Sequence, residues 1–236
     1  MIEMQSNYHL PENYLPQPSA LGPNDFLRAL PPAIAAKLLG HGRRRNFARG
    51  ALIQSRGDKG HGFWHIESGT VQIGRYGSDG RLTLFAILGA GDSFGEQAFL
   101  GDFPRMVDAI AGSDTVLTEI GEQELQLLLE SEPLAARLLL KMMAHMVQRA
   151  LDLVDSGRNQ SALARTAQAL LALLGRTGET SRTLSVTQQE LADLAGLSRV
   201  SLGKMLRELA TAGALRSGYG VIEIVDPAVL AEIGGS

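Results

Sequence analysis

The sequence contains no cysteine among its 236 residues. This absence excludes disulfides, thiolate metal sites, cysteine-ligated iron–sulfur clusters and cysteine nucleophiles. It also lacks any apolar run that approaches the roughly 20 residues of a membrane span. The N-terminus has no basic-then-apolar signal pattern. We therefore expect a cytoplasmic protein that makes no membrane contact.

An excess of positive charge is absent too. The net charge is −3, with 15 Lys and Arg against 18 Asp and Glu in residues 1–160, and 7 against 7 in the remainder. Such a balance argues against indiscriminate nucleic-acid binding, so a DNA-binding role would have to rest on cations that are placed locally. The chain is long enough for one large domain or two ordinary ones.

Proline and polar residues dominate the first 24 positions, which show no sustained period and predict a flexible or loosely docked arm. Asp25 can cap a helix through Leu30, and two prolines interrupt it before helical spacing resumes. The arginines at residues 43–45 then follow directly. We interpret them as cations near a helix end, with a nucleic-acid contact as the alternative.

Short β-rich runs occupy the stretch from Phe47 to about Ile120. They fall at residues 52–53, 62–66, 71–73, 82–88 and 116–120, and glycine-containing turn pairs separate them. Strands this short, at spacings of roughly 8 to 12 residues, predict an all-β sandwich or roll.

A long helix is predicted from Leu134 to about Asp155, after Pro133. One side carries a heptad seam, which we predict to be a dimer interface: Leu140, Met143, Val147, Ala150 and Val154. A second apolar side carries Leu139, Met142, Met146 and Leu153. Two apolar sides need two partners, and we expect the β-domain and a second copy of the chain. Burial inside a single larger domain is the alternative.

A hinge is predicted at residues 156–160, because their composition is polar and includes Gly157. Beyond it, Thr187 and Glu190 form a capping box at the start of a short helix that Gly196 ends. Ser198 is a second N-cap, and the helix after it has an apolar stripe of Leu202, Met205, Leu206 and Leu209. Two capped helices joined by so tight a turn predict a helix–turn–helix. The alternative is an ordinary helical hairpin with a solvated basic face.

A helix at residues 161–174 precedes this pair, and a glycine-tipped hairpin at residues 214–224 follows it. This is the order of a winged helix. A short tail helix is predicted at residues 227–233.

Two segments carry a family resemblance: residues 91–96, read GDSFGE and followed by Arg105, and residues 186–209. Together they resemble the Crp-Fnr family of bacterial transcription regulators, over a stretch from about Phe47 to Val225. The resemblance implies an α+β chain with an N-terminal cyclic-nucleotide-binding-like β-roll, a long dimerisation helix and a C-terminal winged helix–turn–helix.

The expected division of the chain follows from this order. It comprises the arm at 1–24, a β-roll sensor domain with flanking helices at 25–132, a dimerisation helix at 133–157 and a winged-helix DNA-binding domain at 158–236. The implied function is a homodimeric, sequence-specific transcription regulator that reads a two-fold symmetric DNA operator under control of the β-roll. We find no Ser-His-Asp, metal-ligand or P-loop signature, so we expect no enzyme. A nucleotide-sensing regulatory subunit and a protein-binding module are the alternatives.

A candidate effector site lies in the first segment. Gly95 permits a close turn, the N–H groups at Glu96 and Gln97 can point at a phosphate, and Arg105 could close over it with a bidentate fork. Alternatively, Gly95 only serves the turn and Glu96 pairs with Arg105.

Cyclic AMP is not the expected ligand. Met106 follows Arg105 where cyclic-AMP-binding relatives carry Ser or Thr, and Ala150 and Leu151 stand where those relatives place paired hydroxyl residues. Each missing hydroxyl partner costs about 0.5–1.5 kcal/mol. We expect another small anionic or nucleotide effector, or none, and no cofactor. No metal site is expected either, because His61 and His65 lie in strand-and-turn sequence that does not place them on one helical face.

The resemblance also places the DNA contacts. Val200 stands where relatives carry a glutamate that accepts from cytosine, so it can offer only apolar contact and the operator should differ from theirs. The full predicted DNA-binding set is Gln188, Gln189, Ser198, Arg199, Val200, Ser201, Lys204 and Arg207. Family analogy adds RNA polymerase as a partner that loops such as 175–182 could contact.

Overall fold

The structure, a computed structural model, describes residues 26–175, 182–218 and 220–235. The predicted arm and Asp25 lie outside these residues, and so does most of the loop predicted for RNA polymerase. The described chain opens with two helices, α1 (Phe26–Ala29) and α2 (Pro32–Gly40).

Eight strands in residues 26–175 form two antiparallel four-stranded sheets. In chain order they are β1 (Arg43–Phe47), β2 (Leu52–Gln54), β3 (Gly62–Ser68), β4 (Thr70–Tyr76), β5 (Leu82–Gly89), β6 (Ser93–Phe94), β7 (Asp108–Ala111) and β8 (Thr115–Gly121). One sheet has the order β1-β8-β3-β6 and the other β2-β7-β4-β5. Ile66 and Leu117 of the first sheet pack with Val71 of the second in one buried cluster. The predicted β-roll is confirmed.

Residues 43–45 are expected from the sequence to be cations near a helix end, but α2 stops at Gly40 and these arginines begin β1. Arg44 Nε lies 2.8 Å from a Glu67 carboxylate oxygen, and Arg45 Nε lies 2.9 Å from one of Glu119. The first pair joins β1 to β3 across β8, and the second joins β1 to its neighbour β8. Two of the three cations are therefore partnered within the roll.

Three helices accompany the roll: α3 (Glu96–Leu100), α4 (Glu122–Ser131) and α5 (Pro133–Asn159). Ala135, Leu139 and Met142 of α5 are buried in one cluster with residues of α1, α4 and β3. Because α5 continues to Asn159, the hinge predicted at 156–160 is too long, and Gln160 and Ser161 alone separate α5 from the next helix. The expected division of the chain into domains stays a prediction.

The C-terminal part has the predicted order of a winged helix. Its elements are α6 (Ala162–Leu174), β9 (Thr183–Leu184), α7 (Gln188–Leu194), α8 (Arg199–Thr211), β10 (Leu215–Ser217), β11 (Ile222–Ile224) and α9 (Pro227–Gly234). The sequence patterns did not indicate β9, which pairs with β11 as a third strand. Leu170, Leu191, Leu202, Leu209 and Leu230 are fully buried together.

The predicted capping box is present at α7. Glu190 N donates to Thr187 Oγ1 at 3.2 Å, and Thr187 N donates to Glu190 Oε2 at 2.7 Å. Ser198 caps α8 by accepting from Ser201 N at 3.1 Å. Gly196, in the turn between the two helices, has φ +64°, a left-handed conformation that glycine adopts without steric cost. The helix–turn–helix is confirmed.

The winged helix contacts the roll directly, through α7. β5 is an edge strand, so one row of its backbone groups has no strand partner. Asp193 of α7 accepts from Leu84 N on that strand at 3.4 Å. Gln72 Nε2 on β4 donates to Glu190 Oε1 at 2.6 Å, and Ile87 of β5 packs on the winged-helix core. We call this set of contacts the α7–β5 contact.

Candidate DNA interface and effector site

The exposed side of α8 carries the predicted DNA-reading residues. Leu202, Leu206 and Leu209 turn the opposite side of the helix into the core. Exposed on α8 are Arg199, Val200, Lys204 and Arg207, with Val200 74% exposed. Cations on one open side of a second helix are what a helix in the DNA major groove requires.

The uncharged polar residues of the predicted DNA-binding set do not share one environment. The hydroxyls of Ser198 and Ser201 lie 2.9 Å apart at the start of α8, and Gln188 is exposed at the start of α7. Gln189, by contrast, is partly buried, and its amide donates to Asp193 Oδ1 at 2.7 Å. Asp193 belongs to the α7–β5 contact, so Gln189 points towards the roll.

Arg105 is the centre of the predicted effector site, and its guanidinium already has partners from its own chain. It donates from Nη1 to the Gly95 carbonyl, and from Nη2 to the Gly62 carbonyl at 2.8 Å. The residue is only 7% exposed. Burial lowers the pKa of Arg105, and the carboxylates of Glu96, Asp58 and Glu119 oppose that shift.

The four predicted effector residues, Gly95, Glu96, Gln97 and Arg105, line one cavity of about 60 Å³. Ligand pockets usually measure about 300–1,000 Å³, so a nucleotide would need Arg105 and its surroundings to move.

Sequence reasoning missed two other lining residues of this cavity, Gln54 and Met146. Gln54 Oε1 is buried, and no described residue donates a hydrogen bond to it. Gln97 Nε2 lies 3.4 Å from Met146 Sδ, which joins the cavity to α5. A single glutamine in a short strand and a methionine on a helix give no sequence signal for a ligand site.

The predicted dimer seam is largely open on α5. Leu140 and Val147 are 71% and 62% exposed, and Ala150 is exposed as well. Met143 instead packs partly against the cluster that holds α5 on the roll. Leu151, which the predicted seam omits, is exposed next to Ala150. The side chain of Val154 lies outside the described residues.

Two further findings concern residues 26–175, 182–218 and 220–235. They contain no helix that is both long and apolar enough to span a membrane. They also contain no group of three or more His, Asp or Glu residues placed to hold a metal ion.

Comparison with known proteins matches both parts of the chain. Residues 44–132 match the cyclic nucleotide-binding domain, and residues 164–233 match the Crp-like helix–turn–helix domain. The cyclic AMP receptor protein of Thermus thermophilus is 33% identical over 208 residues, which are 88% of this chain and 95% of that protein. The chain belongs to the Crp-Fnr family of transcription regulators.

Other Crp-Fnr proteins are similar to this chain over nearly the same length. A CRP-like cAMP-activated global transcriptional regulator of Mycobacterium tuberculosis is 30% identical over 81% of this chain and 88% of its own. The crystal structure of TTHA1359, a CRP/FNR-family transcriptional regulator of Thermus thermophilus, is 26% identical and superposes with a TM-score of 0.67, covering 82% of this chain and 99% of that one. Because these relatives match both parts of the chain and are regulators of transcription, they favour a transcription regulator over the two alternatives, a nucleotide-sensing regulatory subunit and a protein-binding module.

Gly95→Ala should destabilise the roll by about 1–3 kcal/mol, the usual cost of a strained left-handed residue. Gly95 has φ +94°, and an added Cβ would stand 2.4 Å from Arg105 Nη1. Gly89→Ala is the matched control, because no atom lies within 4 Å of its added Cβ and its φ is not left-handed. Urea unfolding followed by circular dichroism should show a loss for Gly95→Ala and a change within about 0.5 kcal/mol for Gly89→Ala. Equal effects of the two variants would contradict this account of the site.

Proposed function

We propose that this Crp-Fnr regulator works in the cytoplasm as a homodimer that binds a two-fold symmetric DNA operator. The observation that carries the proposal is the exposed side of α8, where Arg199, Lys204 and Arg207 stand together with Val200. The whole chain has a net charge of −3, so this local placement, and not overall charge, provides the attraction to DNA.

The second copy is inferred from α5. One side of this helix is buried on the roll through Leu139 and Met142. Leu140, Val147 and Leu151 remain exposed on another side. A second α5 that packs on this strip would bury them and would generate the two-fold axis. Two recognition helices related by that axis would then read two inverted half-sites.

Specificity is assigned to the first two turns of α8. Arg199 can donate two hydrogen bonds to guanine O6 and N7, and Lys204 can donate with less directionality. Val200 offers no hydrogen bond and suits a thymine methyl group. The half-site should therefore include a guanine and tolerate thymine where relatives with glutamate select cytosine.

Selection of binding duplexes from a random pool tests this function. We expect the wild-type protein to enrich an inverted repeat, and Arg199→Ala to cost about 1–3 kcal/mol and to relax preference at one position of each half-site. Lys37→Ala, which removes an exposed cation of α2, is the control and should enrich the same repeat. Recovery of no inverted repeat, or an unchanged preference in Arg199→Ala, would contradict the proposal.

The effector is proposed to be a small anion other than cyclic AMP. Met106 brings no hydroxyl to the site, and Ala150 and Leu151 bring none from α5. Arg105 is occupied by backbone carbonyls, and the cavity is small. A ligand would have to replace these carbonyl contacts with better ones, which an anion can do because its hydrogen bonds to arginine are charge-assisted.

A thermal-shift titration with cyclic AMP tests this assignment. We expect no rise in Tm for this protein under conditions in which the cyclic AMP receptor protein of Thermus thermophilus, as the positive control, is stabilised in proportion to ligand concentration. A saturable rise in Tm that disappears in Arg105→Lys would show that cyclic AMP binds after all.

Control of DNA binding is proposed to pass through the α7–β5 contact as well as along α5. The Glu190 carboxylate accepts hydrogen bonds from Thr187 N at the start of α7 and from Gln72 Nε2 of the roll. The Asp193 carboxylate accepts from Gln189 Nε2 and from a backbone N–H on the edge of β5. The docked arrangement turns Gln189 away from the surface that the family resemblance assigns to DNA. We infer that docking favours a state with lower DNA affinity, and that an effector shifts the population away from it.

Gln72→Ala should raise affinity for the selected operator without an effector, because it removes one of the bonds that hold α7. Gln126→Ala is the matched control, since its amide also donates to a glutamate, but within α4, at 3.0 Å. Fluorescence anisotropy with a labelled duplex should give a several-fold lower Kd for Gln72→Ala and an unchanged Kd for Gln126→Ala. A higher Kd for Gln72→Ala would mean that docking favours the DNA-binding state instead.

A further inference from the structure

Arg165 lies in the first turns of α6, outside the helix–turn–helix, and has no partner in the described part of the chain. Its Nε is buried and no described residue accepts a hydrogen bond from it. Its terminal nitrogens, Nη1 and Nη2, are not fully buried, and they make no hydrogen bond or ion pair with a described residue. Arginine is always charged and carries five N–H donors, so an acceptor for this group must come from outside the described chain.

The position of this guanidinium is fixed by the turn between α7 and α8. Nη1 lies 3.4 Å from the point where a Cβ would stand on Gly196. Gly196 is exposed and has no side chain, so the arginine reaches the surface there. Two residues later, Ser198 begins α8. Arg165 therefore stands beside the N-terminal end of the recognition helix, although it belongs to a different helix.

That end of a recognition helix enters the major groove in helix–turn–helix proteins, and the phosphates of the DNA backbone border the groove on either side. A group that stands beside the helix end, and not on its base-facing side, is placed for a phosphate and not for a base edge. The fixed fork of arginine matches two phosphate oxygens.

We propose that Arg165 binds a DNA phosphate beside the N-terminus of α8 and so adds a contact that the helix–turn–helix itself does not contain. This inference rests on the proposed DNA-binding function. It assigns Arg165 to affinity and register on the duplex, whereas Arg199 on the exposed side of α8 is assigned to base recognition.

The test measures how binding depends on salt. A protein that neutralises one phosphate fewer loses about 0.9 from the slope of log K against log salt concentration. Full-length protein is titrated against a random-sequence duplex and the selected operator over a series of salt concentrations. The variants are Arg165→Gln, which keeps much of the side chain's length but no charge, and Arg165→Lys, which keeps the charge but no fork. Lys37→Ala, which removes an exposed cation of α2, is the control.

We expect Arg165→Gln to flatten the slope by about 0.9 per protomer on both duplexes, with the sequence preference unchanged. Arg165→Lys should keep the wild-type slope and bind more weakly, and Lys37→Ala should match the wild type. Thermal unfolding checks that each variant is folded.

A wild-type slope in folded Arg165→Gln would overturn the inference and leave the proposed function intact. A flattened slope in Arg165→Lys, or a changed sequence preference in Arg165→Gln, would overturn it as well. Absence of DNA binding by the wild-type protein would instead remove the proposed function itself.

Discussion

Burial of one side of α5 against the roll is the constraint on which the arrangement of this protein depends. Ala135, Leu139 and Met142 pack there with α1, α4 and β3, and this holds a helix of 27 residues in a fixed direction. The winged helix follows directly after the end of that helix at Asn159. The same burial leaves Leu140, Val147 and Leu151 exposed, because a helix that packs on one surface can cover only part of its circumference.

The α7–β5 contact joins the two parts at a second place. An edge strand leaves backbone groups without partners, and Asp193 satisfies one of them from α7. Glu190 completes a capping box and accepts from Gln72 at the same time. A change in the roll can thus reach the helix–turn–helix without passing through the two-residue connection at Gln160 and Ser161.

Arg105 is buried and Arg165 is half-buried, and the two arginines differ in their hydrogen-bond partners. Arg105 is satisfied by the carbonyls of Gly95 and Gly62, and it links segments that are far apart in the chain. A ligand must compete with those bonds. Selectivity at this site therefore depends on the difference in free energy between the hydrogen bonds that Arg105 makes to a ligand and those that it makes to the two carbonyls. Arg165 has no such internal partners among the described residues, and its charge is available to an external anion.

The sequence by itself determined the features that depend on neighbours within about four residues. The capping box of Thr187 and Glu190, the glycine turn, the stripe of α8 and the absence of cysteine chemistry can all be read locally. The spacing of the short β-rich runs predicted an all-β sandwich or roll, and the family resemblance specified a cyclic-nucleotide-binding-like β-roll with a candidate site around Gly95.

Tertiary structure alone decided which distant groups meet. Residues 43–45 became a strand because β8 pairs with them, and Arg105 found its acceptor at Gly62, 43 residues away. Gln72 and Glu190 are separated by 118 positions. No local period or spacing encodes such contacts, since they arise only when the chain has packed.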